Sequence, residues 1–214
     1  MGLSLYHGFG GMNVGSFTQI RNTRYGLMIY NRFDNTIGKS IELYGEWAQG
    51  EMELLNRFLS RGMTVVDVGA NIGTHTLAFA QMVGDEGAVY ALEPQRLVYY
   101  MLAGSVSLNS LINVRFLHTA ASDVTEGIFV PLLNMEQEQN FGGVEIGHYL
   151  SPHLPGEYVA TTRLDDLNLS FCHLIKLDVE GMEERCLRGA TRVIAQFRPV
   201  LYMENNRPDR SASL

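Results

Sequence analysis

Three stretches of this 214-residue chain carry residue types at spacings that can do chemistry. The first is Asp67-Val68-Gly69-Ala70-Asn71-Ile72-Gly73, placed between a short β-branched run, Thr64 to Val68, and a helix-like run, Thr74 to Val83. Glycines in such a turn let the backbone bend sharply and let a ligand approach without meeting a Cβ. The helix start behind them offers unpaired N–H groups and partial positive charge, a seat for an anionic group. The second is Glu93, at the end of the next strand-like run, Ala88 to Leu92. It lies 24 residues after Gly69, about the offset of an acid that binds ribose hydroxyls. The third is Asp178 and Glu180 at the end of Leu174 to Val179. Residues two apart in an extended strand share a face, so both carboxylates can enter one crevice. There they raise each other's proton affinity and favour a nearby cation.

The spacing narrows the ligand. A dinucleotide turn wants G-x-G-x-x-G, and here the middle glycine that admits a pyrophosphate is missing; no Gly-Lys-Ser/Thr follows to make a P-loop. A ligand with a carboxylate and no pyrophosphate fits better, and S-adenosylmethionine is one. Its amino-acid end can meet the loop amides and Asp67, and its ribose diol can meet Glu93. The next crevice position, Ala120-Ala121-Ser122-Asp123, can wall an adenine. His75, one turn into the helix, and His148 and His153, in a long polar stretch, are weaker candidates. Asp165 and Asp166 read as caps rather than metal ligands, because adjacent side chains diverge; no metal is expected.

The elements that position these groups alternate. Strand-like runs at 64–68, 88–92, 114–117, 174–179 and 199–203, with helical runs at 74–83, 95–108 and beyond 182, imply an α/β, Rossmann-like, mostly parallel sheet with right-handed crossovers. In such a sheet ligands sit beyond the carboxyl ends of the strands. Ahead of it, residues 1–20 are Gly-rich and read as a loop. Tyr25 to Tyr30 and Ser40 to Tyr44 read as a hairpin closed at Asp34 to Gly38, and Glu51 to Leu59 as a helix. The chain thus divides into an N-terminal segment, 1–50, and an α/β domain, 51–214. An insertion occupies about 124–163, and its stretch Asn134 to Gly156 is long enough to be a functional loop.

Composition sets limits. A net charge of −7 lacks the basic footprint of a nucleic-acid binder. No apolar run is long enough for a membrane span, the N-terminus lacks a signal-peptide pattern, and two cysteines, Cys172 and Cys186, suit reduced thiols. A cytoplasmic protein is expected.

These residues together resemble the FkbM-type S-adenosylmethionine-dependent methyltransferases. The resemblance is carried by Leu43-Tyr44-Gly45-Glu46, Val66 to Thr76, Ala91-Leu92-Glu93-Pro94-Gln95, Leu164 to Leu167, Leu174 to Gly181 and Arg188-Gly189-Ala190. It implies the class I methyltransferase fold, S-adenosyl-L-methionine as cofactor, and O-methylation of a hydroxyl on a sugar, polyketide or similar small molecule or glycan. With that cofactor, the residues read above as its contacts are Asp67, Gly69, Ala70, Asn71, Gly73, Thr76, Glu93, Pro94, Gln95, Ser122, Asp123 and Asp178, and Asp178, Glu180 and His75 are the catalytic candidates. The segment at Glu46-Trp47 is expected to close over the cofactor. Lys176, alternating with Asp178, is expected to pair with an acid. The usual C-terminal antiparallel hairpin is missing from the pattern, because only nine residues follow Asn205. Either the chain is a truncated form, or the fold stops at five core strands; in the second case the fifth strand is an edge that a homodimer or N-terminal residues would cover. Two other readings stay open: an N-methyltransferase, or a catalytically silent cofactor-binding module.

Overall fold

The structure is a computed structural model that describes residues 12–13, 15–144, 146 and 155–203. The glycines of residues 1–11, His148, His153, Asn205 and Pro208 lie outside the described residues. The chain opens with an antiparallel sheet of β1 (Met12–Asn13), β2 (Thr18–Thr23) and β3 (Gly26–Asn31). Two helices follow, α1 (Ile37–Tyr44) and α2 (Gln49–Leu55). Then come β4 (Thr64–Val68), α3 (Thr74–Val83), β5 (Ala88–Leu92), α4 (Arg96–Leu108) and β6 (Val114–Leu117). A small sheet of β7 (Ala120–Ala121), β8 (Gly127–Pro131) and β9 (Gly156–Thr162) precedes β10 (Leu174–Leu177). Helices α5 (Glu183–Arg188) and α6 (Thr191–Phe197) lead to β11 (Val200–Met203).

The five central strands run in the order β11-β10-β4-β5-β6, and every adjacent pair is parallel. Side chains alternate across the sheet, which is why these strands are apolar at nearly every position. Val65, Val89, Ala91 and Leu174 pack with α3 and α4 in one core; Val66, Val68, Leu92, Ile175 and Leu177 pack with α5, α6, β8 and β9 in another. The expected α/β class is the observed one. Among the described residues β11 is one edge of the sheet, and no helix is long and apolar enough to cross a membrane.

The N-terminal segment departs from the sequence expectation. Ser40 to Tyr44 is the second half of α1, not a strand, and the partner of β3 is β2. Ile37 and Ile41 are buried while Leu43 and Tyr44 are exposed, a helical period rather than an alternating one. The Asp34 carboxylate accepts the Thr36 N–H at 2.9 Å, and Gly45, at φ 70°, ends the helix by donating its N–H to Ile41 O. Met28, Tyr30, Ile37 and Ile41 share the core of α3 and α4. The helical run after Met182 is two helices, with Gly189-Ala190 between them. Asp165 caps the second of these, accepting from Arg192 N at 3.0 Å and Val193 N at 2.9 Å.

Candidate functional site

The turn after β4 is built by its sequence. Gly69 has φ 75°, and a Cβ there would run into the Asp178 carbonyl oxygen, so glycine is required. The N–H groups of Gly69 and Ala70 both donate to Leu92 O at 3.0 Å, pinning the turn to β5. Asn71, also at positive φ, accepts the Ile72 N–H at 2.7 Å on its own side-chain oxygen. Gly73 has φ 94° and starts α3.

Glu93 is buried at the end of β5. Its Oε2 accepts the Asn71 N–H at 2.9 Å and its Oε1 accepts the Gln95 N–H at 2.8 Å. Burial pushes its carboxyl up to about 7, against the opposing pull of these two N–H groups and of Lys176. Asp67 is fully buried. Its Oδ2 accepts the Thr76 hydroxyl at 2.6 Å, and its Oδ1 lies 3.4 Å from Lys176 Nζ. That approach is an ion pair and not a well-aligned hydrogen bond, since Oδ1 has no hydrogen-bond partner. Lys176 Nζ is also 3.4 Å from Asp178 Oδ2 and from Gly69 O. Burial opposes its charge, but Asp67 and Asp178 outweigh that and hold the ammonium above its ordinary value.

A second cluster faces the same space. His75 is buried at the start of α3, with Nε2 3.4 Å from Glu51 Oε2 and Nδ1 3.4 Å from Thr74 Oγ1. Glu51 comes from α2. Its hydrogen bond with His75, aided by one from Tyr202, holds its carboxyl below the ordinary range despite partial burial.

Both clusters line one cavity of about 360 Å³. Gly69, Ala70, Asn71, Glu93, Pro94, Gln95, Asp178, Glu180 and His75 of the expected residues line it. Asp67, Gly73, Thr76, Ser122 and Asp123 do not. Asp67 and Thr76 brace each other beside the turn, and the carbon beyond Gly73 would lie 2.7 Å from Leu102 in the core. Asp123 is held instead by Arg185 at 3.0 Å and Arg188 at 2.8 Å. Thr119, Ala120 and Ala121, one step earlier in the chain, line the cavity instead. Glu180 reaches the cavity by a route other than strand alternation: β10 ends at Leu177 and Glu180 has φ 45°. Trp47 lines the cavity, whereas Glu46 pairs with Arg24 at 2.5 Å.

Sequence reasoning missed Glu51, Tyr202, Thr36 and Asn140, which also line the cavity. Glu51 sits on the polar side of an amphipathic run, and nothing in that spacing distinguishes it from a solvated acid. Asn140, Gly142, Gly143, Val144 and Ile146 come from the long insertion. Backbone bonds from Asn35 N to Gln139 O and from Gln139 N to Phe33 O, and Gln95 Nε2 donating to Phe141 O, fasten that insertion across the site.

Residues 67–212, more than half of the chain, match the model of the Methyltransferase FkbM domain. The chain belongs to this family. No curated protein matches it. Among solved structures, the FkbM domain described here is similar to Methyltransferase FkbM from Methylobacillus flagellatus KT, at 21% identity and a TM-score of 0.52, over 72% of this chain and 35% of that one. The chain therefore spans about a third of that relative's length, and the likeness is one of fold. A SAM-dependent methyltransferase from Aquifex aeolicus shares 19% identity at a TM-score of 0.41, over 76% of this chain and 70% of that one. A Streptococcus mutans protein in complex with SAH shares 8% identity at a TM-score of 0.42, over 70% of this chain and 65% of that one. These last two superpositions are too loose to fix a shared fold.

Proposed function

We propose that this FkbM domain binds S-adenosylmethionine in the cavity and methylates a hydroxyl of a small molecule or glycan. The observation that carries the reading is Glu93. Each of its oxygens accepts one backbone N–H from within the protein and retains capacity for a second donor. A buried carboxylate so placed suits a pair of adjacent hydroxyls, and satisfying them offsets the cost of its burial. The cavity volume is in the range of small-ligand sites. Leu92, Pro94, Ala120, Ala121 and Ile146 give apolar walls for a purine, and the turn residues Gly69, Ala70 and Asn71 line the cavity where the amino-acid end would lie. The charged sulfonium would be favoured near Asp178 and Glu180, both on the lining.

S-adenosylmethionine supplies an electrophilic methyl group. The residues of this chain bind and align. Lys176 holds the Asp178 carboxylate and braces the turn through Gly69 O. The insertion, clipped at Gln139 and Phe141, contributes Asn140, Gly142 and Gly143 to the cavity lining. Alignment of two reactants in this way is worth up to about 7–11 kcal/mol. Calorimetric titration with S-adenosylmethionine and S-adenosylhomocysteine tests the reading. Saturable binding of one molecule per chain, weakened at least about tenfold in Glu93→Ala by loss of charge-assisted hydrogen bonds, is expected; no binding to the wild-type chain refutes it.

A further inference from the structure

We propose that His75 is the base that takes the proton from the acceptor hydroxyl, and that Glu51 is the residue that positions it. This rests on the methyltransferase reading above. Glu93 marks the sugar end of the cavity at β5. Tyr202, on β11, lies three strands away across β4 and β10. His75, Glu51, Thr74 and Tyr202 line the cavity together, on the side left for an acceptor. His75 is an unusual lining residue: it is only 5% exposed, its ring lies 6.0 Å from that of Phe79, and each nitrogen has a defined neighbour. Glu51 comes from outside the α/β repeat and is itself held by Tyr202. Lys176 acts on its charge from β10.

The arrangement has a chemical consequence. A carboxylate at Nε2 makes that nitrogen the protonated one and leaves the lone pair on Nδ1. The acceptor O–H proton passes to Nδ1, with the Thr74 hydroxyl turned aside. The acceptor oxygen's electron pair forms the new bond to the methyl carbon, and the pair of the broken C–S bond stays on sulfur. The imidazolium is stabilised by Glu51 and later loses its proton to water. Glu51 touches no reactant; it sets the tautomer and steadies the cation, the logic of base-and-carboxylate pairs in general.

The test uses the 214-residue chain, its Glu51→Ala and Tyr202→Phe variants, and His75→Ala. Nitrogen-15 NMR at alkaline pH should show the proton of His75 on Nε2 in the wild type, with that preference lost in Glu51→Ala. In His75→Ala the Glu51 carboxyl should titrate higher than in the wild type. Tritium transfer from labelled S-adenosylmethionine into a panel of hydroxy compounds should fall about 100-fold in Glu51→Ala. The loss should persist as pH rises, with acceptor KM unchanged, and be smaller in Tyr202→Phe. Binding of S-adenosylmethionine should stay within about threefold in Glu51→Ala. An unchanged His75 tautomer, or a loss confined to KM, overturns the pairing while leaving the methyltransferase reading intact. Failure of the wild-type chain to bind S-adenosylmethionine overturns that reading and the base assignment with it.

Discussion

Glu93 gives the sharpest prediction, because its burial alters both stability and binding. Its carboxyl titrates near 7 in the folded chain, against an ordinary value of 4.5. The folded state therefore holds this proton more tightly than the unfolded state. Unfolding releases a proton between these two values, so stability is fullest below about 4.5, falls as pH rises, and levels off above about 7. The loss attributable to this one group approaches about 3 kcal/mol. Glu93→Gln removes the titration. It keeps one carbonyl acceptor but turns an NH₂ toward either the Asn71 or the Gln95 N–H, at a cost of about 1–3 kcal/mol that does not vary with pH. Urea denaturation of both proteins at pH 4.5, 6 and 7.5 should give curves that converge, or cross, as pH rises. Parallel stabilities across that window would refute a buried carboxylate at this position. The same linkage acts on the ligand: hydroxyl donors favour the ionised carboxylate, so S-adenosylmethionine affinity in the wild type should weaken up to tenfold per pH unit below about 7.

Other consequences are more local. Gly69→Ala meets the Asp178 carbonyl and must hold a left-handed conformation; it should cost at least about 1–2 kcal/mol in urea unfolding. Lys176→Met strands the Asp67 carboxylate, which is fully buried, and should destabilise by about 3–5 kcal/mol; a smaller loss in the double variant Lys176→Met with Asp67→Asn would show the pairing. Asp123→Ala removes an acid that faces Arg185 and Arg188 rather than the cavity, so calorimetry should find S-adenosylmethionine affinity changed less than about twofold, within the effect of a surface substitution. Burial pushes the Cys172 and Cys186 thiols up to about 12; a thiol reagent at pH 8 should label neither in the native chain and both in urea.

The central α/β unit was legible in the sequence because its physics is local. Thr64–Val68, Ala88–Leu92 and Leu174–Leu177 are apolar on both faces, and only a doubly covered strand demands that. Gly69 announced its turn because glycine adopts a positive φ at little cost; that a Cβ there would also meet the Asp178 carbonyl only the structure shows. That Glu93 lies at a strand end on the cavity followed from the strand pattern. The N-terminal segment misled: Ser40 to Tyr44 supports a strand by composition, whereas in the structure Ile37 and Ile41 face the core at helical spacing and Gly45 ends the helix. Ser122 and Asp123 were placed one step too far, because the strand end alone does not say that Arg185 and Arg188, more than 60 residues on, will claim Asp123. The meeting of Glu51, His75 and Tyr202 was decided wholly by tertiary structure. They come from α2, α3 and β11, and no spacing along a chain records which helix will lie over which strand end.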